Sequence, residues 1–239
     1  NEIVFAGTGL PMVAIMLAQK THAPNLKLIF EAGTLDGRPP ELPTSVGDAR
    51  CETGASRSSG LYDAFSIAQR GYVDLGYLGG AEVDQYGNVN TTCIGNYLEP
   101  ELRLTGSGGN PDINSFAQRT VFIMVHEKRR FVENVSYITS PGWRVKKWPG
   151  GEWVHRRELY GAAFRGGPSA IISTAGVFRF DETDGHMDAE QKGQGNRDHD
   201  ADNGNRHILA VQIGFSAFLN SGGNFLHPRR SGGRRKNAT

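Results

Sequence analysis

The stretch Leu26-Lys27-Leu28-Ile29-Phe30-Glu31-Ala32-Gly33 is a short apolar run that ends on a carboxylate. It predicts a buried strand that presents Glu31 at its carboxyl end. An isolated carboxylate is costly to remove from water, so one in this position tends to be paired or used. Open α/β sheets bind ligands in crevices outside the carboxyl ends of their strands. Taken alone, such a glutamate is more often part of a surface salt bridge; the alternative is a covalent nucleophile with the Gly-rich loops of the chain arranged around it.

The composition is that of one large α/β domain, or of one domain with an appendage. Of the 239 residues, 38% are hydrophobic and 21% charged, and the net charge of +1 gives no reason to expect nucleic acid or a membrane as partner. The 32 glycines are about twice the average usage. They fall in loops such as Gly7-Thr8-Gly9, Gly79-Gly80 and Gly106-Ser107-Gly108-Gly109, where a backbone can approach a ligand closely. Cys51 and Cys93 suit a reducing compartment and have no metal-ligand spacing.

Targeting signals are missing from the sequence. No apolar run reaches the roughly 18 residues that a membrane span requires, and no basic, apolar, small-residue leader opens the chain. We therefore expect a cytoplasmic protein. The chain starts without methionine directly on the apolar run Ile3-Val4-Phe5, so we also expect its N-terminus to be truncated.

The first 31 residues predict a strand, turn, helix, strand unit. The strands are residues 3–6 and 26–31, and the helix is residues 11–19, after the turn Gly7-Thr8-Gly9. Such units make parallel, right-handed crossovers. A Gly-x-Gly turn before a helix can hold a phosphate, but the third glycine and the acidic residue of the dinucleotide fingerprint are missing. We favour a structural turn, or a loop that lines another pocket.

The next part of the chain alternates loops with regular elements. Helices are predicted at 59–70 and 112–119, strands at 73–78, 120–125 and 135–139, and a hairpin at 170–174 with 177–180. Two long segments, 33–58 and 143–168, are predicted as loops, and loops of that length are usually functional. The almost wholly apolar strand at 120–125 is typical of a parallel sheet covered on both faces.

Seven short blocks occur in a fixed order between residues 3 and 187. They are Gly7-Thr8-Gly9-Leu10-Pro11, Phe30-Glu31-Ala32-Gly33, Ser45-Val46-Gly47-Asp48, the run from Gly79 to Asn90, Thr105-Gly106-Ser107-Gly108-Gly109-Asn110, His126-Glu127-Lys128-Arg129-Arg130-Phe131 and Thr139-Ser140-Pro141-Gly142-Trp143. Together they resemble the B (beta) subunit of family I CoA-transferases, most closely the glutaconate CoA-transferase type. The resemblance implies an α/β fold with an open, mostly parallel sheet flanked by helices (CoA-transferase or NagB-like), in a domain of residues 1–187.

The resemblance also implies a set of active-site residues. The family nucleophile is a glutamate in a Glu-Ser-Gly or Glu-Asn-Gly context, and the matching position is Glu31, in a Glu-Ala-Gly context. The loop Gly106-Ser107-Gly108-Gly109 is expected to supply the N–H groups that bind CoA and the oxyanion, and among them we favour Gly108 and Gly109. The candidates for lining the substrate are Gly7, Thr8, Gly9, Ala32 and Gly33.

The implied reaction moves CoA between an acyl-CoA and a carboxylic or dicarboxylic acid. It is a ping-pong reaction through an acyl-glutamyl anhydride and a glutamyl-CoA thioester, with coenzyme A as substrate, no tightly bound cofactor and no metal. An A (alpha) subunit is the expected partner, in a heterotetramer or larger assembly. Two alternatives stay open: a CoA-thioester or ring-opening hydrolase subunit on the same fold, and a non-catalytic partner subunit. Relatives of the hydrolase type lack the glutamate in the corresponding beta subunit, so the presence of Glu31 argues against the first alternative.

Other polar segments have less specific interpretations. Glu82 and Asp84 are interpreted as caps or turn formers rather than catalytic helpers. Residues 126–130, His-Glu-Lys-Arg-Arg, either meet CoA phosphates or form a solvated strand exit or an intersubunit ion-pair cluster. Residues 188–239 predict a divergent, irregular and poorly ordered tail. We interpret the histidines and aspartates around His199 in that tail as low-complexity sequence rather than a metal site.

Overall fold

A nine-stranded sheet lies at the centre of the computed structural model, which describes residues 2–147, 151–161, 166–181 and 184–189. Side by side, its strands are β15 (Met187–Ala189), β14 (Val177–Phe180), β13 (Pro168–Ser173), β10 (Arg119–Met124), β5 (Leu75–Gly79), β1 (Ile3–Ala6), β2 (Lys27–Phe30), β3 (Thr34–Leu35) and β4 (Arg57–Ser58). The five central strands, from β13 to β2, are parallel to their neighbours. Antiparallel strands extend the sheet at both edges. The predicted open, mostly parallel sheet is confirmed.

Helices cover both faces of this sheet. They are α1 (Leu10–Thr21) on one face and α2 (Leu61–Gln69) and α3 (Asn110–Phe116) on the other; one 3-10 helix lies at Ala49–Glu52, and a short helix, α4 (Arg156–Tyr160), lies outside the sheet. Because side chains alternate along a strand, Val4 and Ala6 of β1 face the core beneath α1, whereas Phe5 faces the core beneath α2 and α3. Ala64 of α2 and Ile113 of α3 are fully buried in that second core. The central strands are thus buried on both faces, as the apolar 120–125 segment indicates.

Three two-stranded hairpins lie outside the main sheet. They pair β6 (Glu82–Val83) with β7 (Val89–Asn90), β8 (Cys93–Gly95) with β9 (Pro100–Arg103), and β11 (Arg144–Lys146) with β12 (Trp153–His155). The first two hairpins connect the end of β5 to the Gly-rich loop at 104–109. They therefore bring that loop back over the carboxyl edge of the sheet.

The predicted strand at 135–139 is wrong. Its backbone makes polar contacts that do not form a ladder: the Ser136 N–H donates to the Glu82 carboxylate at 2.8 Å, and the Thr139 N–H donates to the Val89 carbonyl at 3.0 Å. The segment is instead an irregular strap that ends in a single β-bridge between Val89 and Ser140. Its β-branched composition indicated a strand, but tertiary contacts decide the backbone.

The interpretation of 143–168 as one long loop is also wrong. This segment contains β11, β12 and α4, and Lys146 Nζ lies 5.1 Å from the ring centre of Trp153 across the hairpin. The His155 imidazole accepts a hydrogen bond from the Arg157 N–H at the start of α4. Histidine is not among the preferred N-cap residues, so the sequence carried no ordinary signal for this helix.

The long segment 33–58 is mostly irregular, as predicted, and Asp48 organises its middle. The Asp48 carboxylate caps the 3-10 helix by accepting from the Arg50 N–H, pairs with the Arg50 guanidinium at 2.7 Å, and accepts from both the N–H and the hydroxyl of Thr44. Behind it, Cys51 is buried against the core under α1. One carboxylate thus fixes the path of the loop next to Glu31.

We expect Asp48→Asn to destabilise the protein, and to do so more at about pH 7 than at about pH 3. Hydrogen bonds from Arg50 and Thr44 hold the pKa of Asp48 well below its ordinary value of 3.8. A carboxyl group with a depressed folded pKa contributes stability above its unfolded pKa and loses it as the pH falls through the folded pKa. Urea unfolding of both proteins at the two pH values measures the difference. A gap that stays constant with pH would contradict the assignment.

The predicted tail at 188–239 lies outside the described residues except for Asp188 and Ala189, which pair with β14. The His199 region is therefore not described. Among the helices that the structure does describe, none has the length and apolar character to cross a membrane.

Candidate active site

The carboxyl ends of β1, β2 and β5 meet at one edge of the sheet and open into a cavity of about 530 Å³. Gly7 follows β1, Glu31 follows β2 and Gly80 follows β5. The chain leaves β1 toward β2 on one side and later returns to β5 on the other side, so this is a point where the strand order reverses. Ligands of open α/β sheets bind at such points. The opposite wall is the segment from Leu104 to Asn110.

Glu31 stands directly after β2, in a turn that projects from the sheet. The turn is closed by a hydrogen bond of 2.9 Å from the Gly33 N–H to the Phe30 carbonyl, and Phe30 itself is fully buried. The Glu31 side chain is half-buried, lines the cavity, and has no hydrogen bond or ion pair with any described residue. The surface salt bridge that a strand-end glutamate usually forms is not made within the described part of the chain. The carboxylate is therefore free to act on a molecule in the cavity.

The turn Gly108-Gly109 lies against this carboxylate. A β-carbon placed on Gly109 would lie 3.1 Å from Glu31 Oε1 and would overlap the ring of Phe65. One placed on Gly108 would lie 3.9 Å from the same oxygen, and Gly108 has a φ of +43°. Both positions therefore require glycine. Neither the Gly108 N–H nor the Gly109 N–H donates to another described residue, so both amides are available to a bound group.

Side-chain hydroxyl groups hold the Gly-rich loop from behind. The Thr91 hydroxyl donates to the Gly106 carbonyl at 3.0 Å, and the Gly106 N–H donates to the Thr91 carbonyl at 3.0 Å. The Thr139 hydroxyl accepts from the Thr91 N–H at 2.9 Å and lies 2.7 Å from the hydroxyl of Thr92. Ser107 extends the set, with its hydroxyl 3.4 Å from that of Thr92. The strap at 135–139 therefore positions the loop through Thr139.

Replacing Thr139 by valine is expected to destabilise the protein by about 1–3 kcal/mol and to lower turnover about tenfold. Valine keeps the shape but leaves the part-buried Thr91 N–H without its acceptor, which loosens the loop at Gly106. Urea unfolding and steady-state kinetics measure the two effects. Thr139→Ser keeps the hydroxyl and should preserve both properties; equal losses in the two variants would rule out the hydrogen bond as the cause.

One basic residue reaches the cavity from the 126–130 segment. Arg130 lines the cavity and donates to the Gly80 carbonyl at 3.2 Å, whereas Arg129 is not among the lining residues and is 75% exposed. Glu127 accepts from both arginines. His126 is exposed, stacks on Phe178 and lies 3.1 Å from the Ser173 hydroxyl through Nδ1, outside the cavity wall.

The chain matches a family model over most of its length. That model, for coenzyme A transferase, covers residues 1–189. The chain belongs to the coenzyme A transferase family. The resemblance inferred from the seven sequence blocks is therefore confirmed.

Two curated relatives place this coenzyme A transferase chain among beta subunits. It is 38% identical over 189 residues to the B (beta) subunit of glutaconate CoA-transferase from Acidaminococcus fermentans, which covers 76% of this chain and 67% of the relative. It is 39% identical over 174 residues to the B (beta) subunit of 3-oxoadipate CoA-transferase from Pseudomonas knackmussii, covering 72% of this chain and 64% of the relative. The chain thus spans about two thirds of the length of these relatives.

A solved structure agrees with this placement. The crystal structure of glutaconate coenzyme A-transferase from Acidaminococcus fermentans superposes with a TM-score of 0.68 at 34% identity, covering 79% of this chain and 71% of that one. The sheet described above is therefore a coenzyme A transferase fold.

The structure brings together most of the predicted site residues of this family member. Glu31 and the loop Gly106-Ser107-Gly108-Gly109 line one cavity with Gly7 and Thr8. The remaining three predicted substrate-lining residues are not among the cavity-lining residues. Gly9 is the N-cap residue before α1, with a φ of +85°, Ala32 is exposed in the turn, and Gly33 packs against Gly60. These three residues are thus structural neighbours of the lining residues.

Asp84 and Glu82, the acidic pair of the Gly79–Asn90 block, are structural in this transferase. Asp84 accepts from the N–H groups of Tyr86 and Asn88 and from the Asn88 amide, and burial raises the pKa of this carboxyl. Glu82 is buried and accepts from Asn90 and from Ser136. Neither lines the cavity.

Sequence reasoning missed two parts of the site. Thr91 and Asn110 line the cavity without having been singled out, and Asn110 ties the loop to β5 by donating to the Gly79 carbonyl at 3.1 Å. Both residues lie inside or beside the sequence blocks that carry the family resemblance. Their place in these blocks was the signal that could have found them. Within the described ranges, no three His, Cys, Asp or Glu side chains are grouped to hold a metal ion.

Proposed function

We propose that this chain is the catalytic subunit of a heteromeric CoA-transferase and that Glu31 is its covalent nucleophile. The observation that carries the proposal is the free Glu31 carboxylate in contact range of the Gly108-Gly109 turn, inside a cavity at the carboxyl edge of the sheet. Covalent catalysis by a weak nucleophile requires the nucleophile to be held against its electrophile. The N–H groups of Gly108 and Gly109 have no other described acceptor, which supports a role for them in stabilising the charge that develops during the attack.

The first half-reaction transfers CoA onto Glu31. A Glu31 oxygen attacks the thioester carbonyl of the acyl-CoA, the C–S bond breaks, and CoA thiolate leaves an acyl-glutamyl anhydride. The thiolate then attacks the glutamyl carbonyl, the anhydride C–O bond breaks, and the donor acid leaves as its carboxylate. Glu31 now carries CoA as a thioester. The acceptor carboxylate then attacks the glutamyl thioester, the two steps proceed in reverse, and the free Glu31 carboxylate is regenerated.

Each attack places a negative charge on a tetrahedral oxygen. Preorganised N–H donors at such an oxygen are each worth about 3 kcal/mol of transition-state stabilisation. The N–H groups of Gly108 and Gly109 are the proposed donors, since they have no other described acceptor and lie beside Glu31. No proton transfer is required in any step, so the site can work without a general base.

The substrates and the partner follow from the relatives. The two curated relatives are named for glutaconate and 3-oxoadipate, both short dicarboxylic acids, and both are beta subunits. We therefore assign a short dicarboxylic acid and its CoA thioester to this chain, and an A (alpha) subunit as its partner in a heterotetramer or larger assembly. The partner would supply further residues to the cavity that Glu31 lines.

Trapping of the thioester tests the proposal. The chain is co-purified with its alpha-type subunit, incubated with glutaryl-CoA without acceptor, treated with borohydride, and the Glu31 peptide is analysed by mass spectrometry. Reduction of the Glu31 carboxyl group to the alcohol is the expected result, and it should disappear in Glu31→Ala. Acyl-CoA hydrolysis without any modified Glu31 would instead identify a hydrolase, and neither turnover nor modification would leave a non-catalytic partner subunit.

A further inference from the structure

The cavity carries one charge of each sign among its described lining residues, Glu31 and Arg130. The other lining residues are glycines, apolar side chains and neutral polar groups. A nucleophilic carboxylate does not itself require an arginine in the same cavity. The second charge therefore points to recognition of a negatively charged part of the substrate.

Arg130 is held in place by two hydrogen bonds, and part of its guanidinium group remains available to a ligand. Its Nη1 donates to the Gly80 carbonyl at 3.2 Å and its Nε donates to Glu127 at 3.3 Å. Its Nη2 has no hydrogen-bond partner among the described residues, and the side chain is 24% exposed. The same Glu127 carboxylate also accepts from Arg129 at 2.6 Å, so two guanidinium groups share one carboxylate and a net positive charge remains.

Glu31 and the Gly80 carbonyl that Arg130 contacts follow strands two places apart in the sheet, and that span suits a short dicarboxylic acid. Glu31 follows β2 and Gly80 follows β5, with β1 between them, and two strand spacings amount to about 10 Å. The terminal carbons of an extended five-carbon dicarboxylic acid are about 5 Å apart. The remaining part of the roughly 10 Å is accounted for by the contact with Glu31 at one end of the acid and by an arginine–carboxylate hydrogen bond of about 2.8 Å at the other.

We propose that Arg130 binds the distal carboxylate of the acid substrate and thereby selects dicarboxylic over monocarboxylic acids. This inference rests on the proposed function. The competing source of a negative group is a CoA phosphate. In an extended CoA the pyrophosphate lies on the order of 15 Å from the reacting sulfur, which is farther than the two strand spacings between Glu31 and Gly80. The distal carboxylate is the group that reaches Arg130 while the thioester lies at Glu31.

The test compares glutarate with pentanoate as acceptors, in the complex with the alpha-type subunit. Arg130→Met should lower kcat/KM for glutarate roughly 10- to 100-fold, because a charge-assisted hydrogen bond is lost, and should change kcat/KM for pentanoate by less than about threefold. Arg129→Met is the matched control: it removes the neighbouring arginine from the same Glu127 but leaves the cavity wall intact, and the preference for glutarate should persist. Calorimetric titration with glutarate measures the same loss of affinity without turnover.

The other outcomes overturn the inference in separate ways. Equal losses for both acids would mean that Arg130 only positions Gly80 or contacts CoA. An N-acetylcysteamine thioester, which lacks the phosphates, separates these two cases, since an effect seen only with CoA donors assigns Arg130 to a phosphate. A Glu31 thioester that forms normally in a variant with unchanged acid preference would refute the role of Arg130 and leave the proposed function intact. Absence of that thioester in the unmodified protein would refute the proposed function itself, and glutarate affinity would then decide on Arg130.

Discussion

Replacing Glu31 by glutamine is expected to lower kcat for CoA transfer by at least about 10⁴-fold, the scale on which loss of a covalent nucleophile acts. The amide cannot form the anhydride, so neither half-reaction can start. The variant should remain folded, because the Glu31 side chain makes no hydrogen bond or ion pair with the described residues and projects from a turn. We expect its free energy of unfolding to change by less than about 0.5 kcal/mol. Steady-state exchange between glutaryl-CoA and a second acid measures the effect.

Glu41→Gln provides the matched control for this experiment. Glu41 lies in the same irregular segment as the turn after Glu31, but its side chain is 78% exposed and its contact with Arg50 is long, at 3.8 Å. The same chemical change there should leave kcat within about twofold, since surface substitutions of this kind have small effects. A Glu31→Gln enzyme with more than about a hundredth of normal kcat would exclude covalent catalysis by this residue.

The centre of the fold could be predicted because its strands are buried on both faces. β1 is wholly apolar, and β2 and β10 are apolar after their first one or two residues; the structure explains this by helices packed on each side. Tight glycine turns at the strand ends marked the boundaries to within a few residues. The strand order was not predictable from these patterns alone, since periodicity does not tell which buried strands are neighbours.

The secondary-structure predictions for the segments 135–139 and 143–168 failed for a physical reason. At 135–139, β-branched residues predict a strand, but the backbone N–H of Ser136 and the hydroxyl of Thr139 are engaged by Glu82 and Thr91, far away in sequence. At 143–168, aromatic and basic residues suggested a loop, although Lys146 and Trp153 pair across a hairpin. Contacts between segments distant in sequence decide the first case, whereas the second is a local hairpin that its aromatic and basic composition did not indicate.

The candidate site could be predicted in part. An unusual carboxylate after a buried strand and a run of glycines were visible as separate features, and the family resemblance connected them. Their contact, with Gly109 beside Glu31 Oε1, required the structure. The same holds for Arg130: the sequence showed a basic run at 126–130, but only the fold shows which of its side chains enters the cavity.

Gly109→Ala is expected to lower kcat about 10²- to 10³-fold, the range observed when an oxyanion donor is lost or displaced. The added methyl group would overlap the ring of Phe65 and approach Glu31 Oε1 to 3.1 Å. The turn must therefore move, and the free N–H groups of Gly108 and Gly109 move with it. Gly176→Ala is the control, because a β-carbon there meets nothing within 4 Å. Kinetics and thermal unfolding of both variants separate a loss of catalysis from a loss of folding.

Adding Phe65→Leu to Gly109→Ala separates the two clashes. Leucine removes the ring that the new methyl group overlaps. On its own it should cost little activity, because Phe65 packs on Phe5 at a ring-centre distance of 6.0 Å and is not among the residues that line the cavity. If the crowding of Phe65 alone displaced the turn, the double variant would regain nearly full activity. We expect only partial recovery, because the methyl group still lies between the backbone of the turn and the Glu31 carboxylate. A double variant as active as Phe65→Leu would show that the closeness of Gly109 to Glu31 has no part in catalysis.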